Sequence, residues 1–348
     1  MSRLAGLRLT HLFLPIFLAA AVVLLGACSD EGANTAPVDT TPGASTLPPK
    51  KLTFMAGFKP QANLPFVGAY VAQEKGFFRE LNLDVDIKHA QSGEHLQLLL
   101  AGEVQVATAN AAQVIQRSSE GLPIVSVALV GQKSEQGFAV GANSGINSVR
   151  DWAGKKFGYK GSVPVEFLAI ARANGLNPDQ VDQVKVSFDP RVLSEGQVDI
   201  LAVFVSNEPG QLDRIGYPVK VFDPSEFGIP VLGLTYIASQ DGIAKDADAI
   251  QRFVTASLRG IAYAAEHPDE ALEIVMEFAP QENRDQQKFM LTTELARAKT
   301  GGTESNGYGW QTREQWQALA SALLDFKIIE KPAEVSKVFT TQFLGKNN

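Results

Sequence analysis

The aromatic side chains Phe58, Phe66, Tyr159, Phe204 and Phe227 stand at or beside stretches that read as strand ends and loops. Near them in the chain come Asn63, Asn110, Gln113, Asn207 and Glu208, and Ser162 behind a glycine. A flat, polar ring wants aromatic faces against it and a few placed hydrogen bonds at its edge. Asn and Gln supply donors and acceptors, whereas a glutamate carboxylate only accepts. The set can therefore both donate to and accept from the polar edge of such a ring. Each aromatic alone is also at home in a core, Phe66 and Phe204 above all. Glu208 equally suits a helix start ahead of Pro209, where the dipole favours a negative charge. Gly161-Ser162 reads as a helix opening whose amides suit an anion or a hydroxyl, or merely cap the helix. Lys59 reads as a solvated loop charge.

Other chemistries find no support. The net charge is −7 with no Lys/Arg cluster, which disfavours a nucleic-acid partner. There are four histidines and one cysteine, and no HExxH, Walker or GxSxG pattern. His89 and His95 straddle a predicted loop, which argues against a paired metal site. Neither a catalytic residue nor a bound cofactor is expected.

The elements that must position these residues alternate strand and helix. Residues 52–57 form a strand, and a helix runs from 65 to 75 with Phe66, Ala69, Tyr70 and Ala72 on its apolar face. Gly76 closes that helix. A strand at 83–89 follows, then a helix capped by Ser92 and closed by Gly102. A strand at 104–109 leads to a helix started by Asn110. The apolar run 123–130 reads as a buried parallel strand. This is a βαβαβ unit of a doubly wound sheet. A second unit has a short capped helix at 148–152 and strands at 155–159, 184–188, 198–204 and 218–222. Its helices run from 161 to 173 and from 209 to 214. The units rhyme: Gly102-Glu103-Val104-Gln105-Val106 matches Gly196-Gln197-Val198-Asp199-Ile200, which sets Asn110 against Phe204 and Gln113 against Asn207. Two such lobes can face each other across a cleft, with the C-terminal strand ends toward it. A strand at 232–239 is expected to cross back to the first lobe. Helices follow at 247–266, 268–278, 284–299 and 312–325, with a Gly-rich loop at 301–310 and a terminal helix at 332–343.

Ahead of this lies Arg3, Arg8 and an apolar run over 12–28, the pattern of an export signal. Leu25-Gly26-Ala27-Cys28 resembles a bacterial lipobox, in which cleavage precedes the cysteine and its thiol is lipid-modified, palmitate being the expected acyl chain. Residues 29–49 are mostly Ser, Thr, Pro, Gly and Ala without apolar period and read as a disordered tether. The expected organisation is a signal peptide over 1–27, lipidated Cys28 and tether over 28–50, a first lobe over 51–138 and 233–348, and a second over 139–232.

The stretch GAYVAQEKGFFRELNLDVDI (68–87) resembles the opening helix-turn-strand of ABC-importer substrate-binding proteins, in the group of thiamine-pyrimidine-precursor, sulfonate and nitrate binders. SNEPGQLDRIGYPVKVFDPSEFGIP (206–230) is most similar to the pyrimidine-precursor branch. That branch usually carries a tryptophan in the first loop, where this chain has Gly57-Phe58-Lys59-Pro60-Gln61; its tryptophans Trp152, Trp310 and Trp316 lie elsewhere. The phenylalanine-bearing loop is similar to the riboflavin-binding branch. The resemblance implies a two-lobed, type II periplasmic-binding-protein fold with a ligand cleft between α/β lobes. It places a carboxylate at Glu208 to meet ring N–H or hydroxyl donors. It implies a monomer, lipid-anchored on the outer face of the cytoplasmic membrane, that carries riboflavin to a permease with its ATPase. Alternatives are a thiamine pyrimidine precursor, a sulfonate- or nitrate-type anion, and a pyrimidine-synthesising enzyme of the same fold. The last would need a histidine and a cysteine-rich loop, and no cysteine lies beyond Cys28.

Overall fold

The computed structural model describes residues 47–91 and 93–345. Cys28, the signal, most of the tether and the Ser92 cap lie outside them. The first unit runs β1 (Lys50–Ala56), α1 (Leu64–Glu74), α2 (Phe77–Glu80), β2 (Leu83–His89), α3 (His95–Ala101), β3 (Val106–Asn110), α4 (Ala111–Ser119) and β4 (Ile124–Leu129). The second runs β5 (Gln136–Gly141), β6 (Lys156–Tyr159), α5 (Val165–Ala173), β7 (Asp182–Lys185), α6 (Arg191–Ser194), β8 (Ile200–Phe204), α7 (Glu208–Arg214) and β9 (Val219–Phe222). Then come β10 (Leu234–Ser239), α8 (Gln240–Glu266), α9 (Pro268–Phe278), α10 (Arg284–Ala298), α11 (Gly301–Asn306) and α12 (Arg313–Asp325).

The strands form two five-stranded sheets, ordered β2-β1-β3-β10-β4 and β7-β6-β8-β5-β9. β10 does return to the first sheet, where it runs antiparallel between β3 and β4. β5 fills the same slot of the second sheet, antiparallel to β8 and β9. The sheets are therefore mixed, and the strand that neighbours 123–130 within its sheet, β10, is antiparallel to it. Its unbroken burial reports that both faces are covered, and burial carries no information on direction. β5 also straddles the expected lobe border at 138/139, so the crossings fall at 130–135 and 223–233.

The internal rhyme has a physical basis. Gly102 and Gly196 take φ of 79° and 69°, which only glycine adopts at little cost. After each turn a side chain reaches the neighbouring strand: Gln105 Oε1 accepts from Thr53 N–H and Asp199 Oδ2 from Lys156 N–H, both at 2.9 Å. These bonds set the register of β1 against β3 and of β6 against β8.

The first lobe buries Phe54, Tyr236 and Phe253 between its sheet and α8, with Phe54 and Phe253 ring centroids 4.9 Å apart. Trp316, Leu319 and Ile115 cover the other face. α1 and α8 meet backbone to backbone: a Cβ on Gly260 would lie 2.2 Å from the Gly68 carbonyl oxygen. The second lobe centres on Phe138, Trp152, Phe157 and Phe167, with the Phe157 and Phe167 rings stacked at 4.1 Å.

Three local expectations fail. Residues 161–162 do not open a helix, because α5 begins at Val165 behind Pro164. The Gly-rich loop contains α11, started by a Thr300 capping box. The terminal stretch holds only a 3-10 turn at Val335–Lys337. Beyond that turn the chain lies along β4, with Ser126 N–H donating to Val338 O and Thr340 N–H to Ser126 O, and so covers a sheet edge that would otherwise be open. Among the described residues, no helix is long and apolar enough to cross a membrane.

Candidate functional site

In open α/β sheets ligands sit beyond the C-terminal strand ends. The loop after β1 leaves the Phe58 ring 43% exposed. The loop is pinned from below, because the Phe58 carbonyl bonds His89 Nδ1 at 2.7 Å and His89 Nε2 bonds the Tyr70 hydroxyl at 2.9 Å. A carbonyl only accepts, so Nδ1 carries the proton and Tyr70 donates to Nε2. Burial holds the His89 pKa below its ordinary value, which fits this neutral ring. Phe66 is buried behind the loop with its ring edge-on to His89, so it packs. Lys59 pairs with Glu282 at 2.5 Å on the surface.

Asn63 is buried and occupied. Its carbonyl accepts from Phe66 and Val67 N–H, which starts α1. Its side-chain oxygen accepts from Gln61 and its amide reaches Glu294 at 3.4 Å. After β3, the Asn110 side chain accepts from Ala112 N–H at 2.9 Å and caps α4. Gln113, half-buried in the first turn of α4, has no polar partner among the described residues.

In the second lobe, Phe204 ends β8 with its ring 43% exposed. Glu208 is buried; its Oε2 accepts from Phe204 N–H at 2.7 Å and its Oε1 from Lys160 Nζ. Asn207 Oδ1 is taken by Gln286 and Gln211, each at 2.8 Å. Tyr159 is half-buried against Phe157, and Phe227 packs its ring 6.2 Å from Phe222. Ser162 is exposed in a turn that begins no helix.

α10 joins the lobes. Glu294 accepts from Ser206 Oγ of the second lobe at 2.8 Å and lies 3.4–3.5 Å from the Asn63 amide and Leu64 N–H of the first. Burial raises the pKa of this carboxyl. At the crossings, Glu135 Oε1 accepts from Leu234 N–H at 2.8 Å. Burial and the nearby Glu294 push the Glu135 carboxyl up to about 8. Arg297 pairs with Asp223 at 2.6 Å and donates to the Ser134 carbonyl. The Ser134 hydroxyl donates to Glu166 at 3.0 Å, whose pKa burial also raises.

Sequence reasoning missed Glu135, Lys160, Ser206, Glu294 and Arg297. Glu294 and Arg297 sit at i,i+3 on a helix, a spacing shared with any solvated ion pair. The one available hint was position, since Lys160 directly follows a predicted strand end. The strand ends thus present exposed phenyl rings in both lobes, Phe58 in the first and Phe204 and Phe188 in the second, with a largely buried ion pair and part-free amides. These can hold a flat ring and read its edge.

The family described as NMT1/THI5 like matches residues 63–271. The chain belongs to that family. The match opens at Asn63 in the cleft-side loop of the first lobe and runs through the whole second lobe. The family member is 26% identical over 343 residues to the riboflavin-binding protein RibY of Chloroflexus aurantiacus, covering 93% of this chain and 95% of that one. It is 27% identical over 285 residues to the formylaminopyrimidine-binding protein of Halalkalibacterium halodurans, covering 78% and 84%. Among solved structures, the periplasmic aliphatic sulphonate-binding protein SsuA of Escherichia coli superposes with a TM-score of 0.64 at 16% identity, covering 83% of this chain and 97% of SsuA. The fold is thus the two-lobed periplasmic-binding-protein type.

Proposed function

We propose that this family member is the substrate-binding component of an ABC importer and that its ligand is riboflavin. The supporting observation is the pair of phenyl rings, Phe58 and Phe204, left exposed at strand ends of the two lobes. An exposed phenyl at a strand end gains by covering a flat ring. The similarity to RibY along nearly the whole chain points the same way. No catalytic role is assigned, because the sequence supplies only Cys28 where a cysteine-rich loop would be required. The protein is proposed to be a monomer held by a lipid on Cys28 at the outer face of the membrane. There ligand favours the closed lobes, and the permease with its ATPase recognises that arrangement.

Titrating the purified protein against riboflavin tests this reading. Flavin emission should quench and saturate near one ligand per chain; unchanged emission refutes riboflavin as ligand. A thiamine pyrimidine precursor is the second reading, favoured by Glu208, whose carboxylate can accept amino protons. The anion reading is the weaker one, since Ser162 starts no helix and offers no helix-terminal amides.

A further inference from the structure

Lys160 follows β6 and Glu208 opens α7 just beyond β8, and β6 and β8 are neighbours in the sheet. Their side chains are 12% and 8% exposed and form an ion pair. An isolated buried pair is a poor stabiliser, because desolvating two charges costs about what their attraction returns. This pair is also incompletely used. An ammonium has three donors and a carboxylate about four lone-pair sites. Among the described residues, Lys160 Nζ spends its one hydrogen bond on Glu208, and Glu208 accepts only from Lys160 and Phe204 N–H. The Phe204 bond fixes the carboxylate relative to the residue whose ring is exposed.

We propose that Lys160 and Glu208 act together as the reader of the ligand's ring edge, Glu208 accepting a ring N–H and Lys160 donating to the adjacent carbonyl or ring nitrogen. The proposal rests on the binding function above and assigns Lys160 a role in ligand selection. It also names the ligand class. A neutral heteroaromatic with a donor and an acceptor side by side, such as a cyclic imide or lactam, satisfies both groups at once. An anion at this edge would face the Glu208 carboxylate, and a cation the Lys160 ammonium. The pyrimidinedione edge of a flavin has the required pattern, as does an amino group beside a ring nitrogen.

The test compares wild type, Lys160→Met and Lys160→Arg for binding of riboflavin, of analogues with sulfur replacing the carbonyl oxygens that flank N3, and of formylaminopyrimidine, with thermal melting as a check on folding. Lys160→Met should weaken riboflavin binding about 10- to 100-fold, the loss of a charge-assisted hydrogen bond, and Lys160→Arg should recover much of it. Sulfur substitution should weaken binding to wild type and make little further difference to Lys160→Met. If Lys160→Met binds riboflavin as wild type does, or loses the same factor for oxygen and sulfur ligands, Lys160 only braces the strand ends and the proposal falls. If wild type ignores flavins but binds formylaminopyrimidine, riboflavin is refuted as ligand, and the reader stands only if Lys160→Met loses that pyrimidine by a similar factor. If wild type binds neither, the functional reading falls and takes the reader with it.

Discussion

Replacing Glu294 with alanine should loosen the joint between the lobes by a calculable amount. The carboxyl accepts one firm bond, from Ser206 Oγ at 2.8 Å, and two marginal ones, at 3.4 and 3.5 Å. Ser206 is 0% exposed and Asn63 2%, so water does not readily replace the lost acceptor. An orphaned buried hydroxyl costs about 1–3 kcal/mol, and the space left by the side chain adds roughly 1 kcal/mol. Against this stands the relief of removing a carboxyl whose charged form burial disfavours. The net is a destabilisation of about 2–3 kcal/mol, read as a midpoint shift in urea at unchanged slope. Glu294→Gln keeps the oxygen that Ser206 needs and should cost less than about 1 kcal/mol. Small-angle scattering of the ligand-free protein should show Glu294→Ala, and not Glu294→Gln, with the larger radius of gyration. If alanine changes stability by under about 0.5 kcal/mol, or if glutamine is as damaging as alanine, the acceptor account of this joint is wrong.

Glu135, with its carboxyl pushed up to about 8 by burial and Glu294, binds a proton in the fold that the unfolded chain releases near its ordinary value of 4.5. Its contribution is therefore complete below 4.5 and is lost as pH rises toward 8. Denaturation between those limits should show stability falling by up to about 1.4 kcal/mol per pH unit from this group, and Glu135→Gln should flatten that slope. Gly260→Ala places a methyl against the Gly68 carbonyl with no side chain able to yield, and should cost about 1–3 kcal/mol, measured as a lowered melting temperature. Phe58→Ala and Phe204→Ala should each weaken riboflavin binding about 10-fold while leaving the melting temperature near wild type, because both rings are already exposed.

Local chemistry was legible in the sequence wherever one residue decides the backbone. The sequence marks Asn110 as a helix start, and it caps α4; it marks Gly76 and Gly102 as helix ends, and both take positive φ. The internal rhyme held because each repeat spends the same glycine turn and the same side-chain bond on its neighbouring strand. Strand direction was not legible. An apolar run such as 123–130 looks the same whether its neighbour runs up or down, so the antiparallel slot shared by β5 and β10 appeared only with the sheet. Buried polar pairs were hidden for a related reason: Lys160, Glu294 and Arg297 have the residue types of a solvated surface, and only tertiary packing buries them. Asn63 and Phe66 show the converse, since residues suited to a ligand spend their polar or apolar surface on the protein itself.

These bonds bear on how the lobes can move. The crossings at 130–135 and 223–233 lie against each other, with Gly233 N–H donating to Gly131 O and Glu135 strapping Leu234. A Cβ on Gly233 would come within 2.5 Å of the Lys133 carbonyl oxygen, so the two strands are in close backbone contact. α10 adds a third connection, through α7 and the turn before it. Gln286 bonds Asn207, the Phe289 ring fills the space that a side chain on Gly210 would need, and Glu294 bonds Ser206. A hinge of two strands alone could swing freely; one that includes a packed helix must either slide α7 over α10 or break the Ser206 bond. Ser206 lies two residues past Phe204 and two before Glu208. Any motion that disturbs the Glu294 joint therefore also moves the ring and the carboxylate proposed to meet the ligand, which couples lobe position to the shape of the site through five consecutive residues, 204–208.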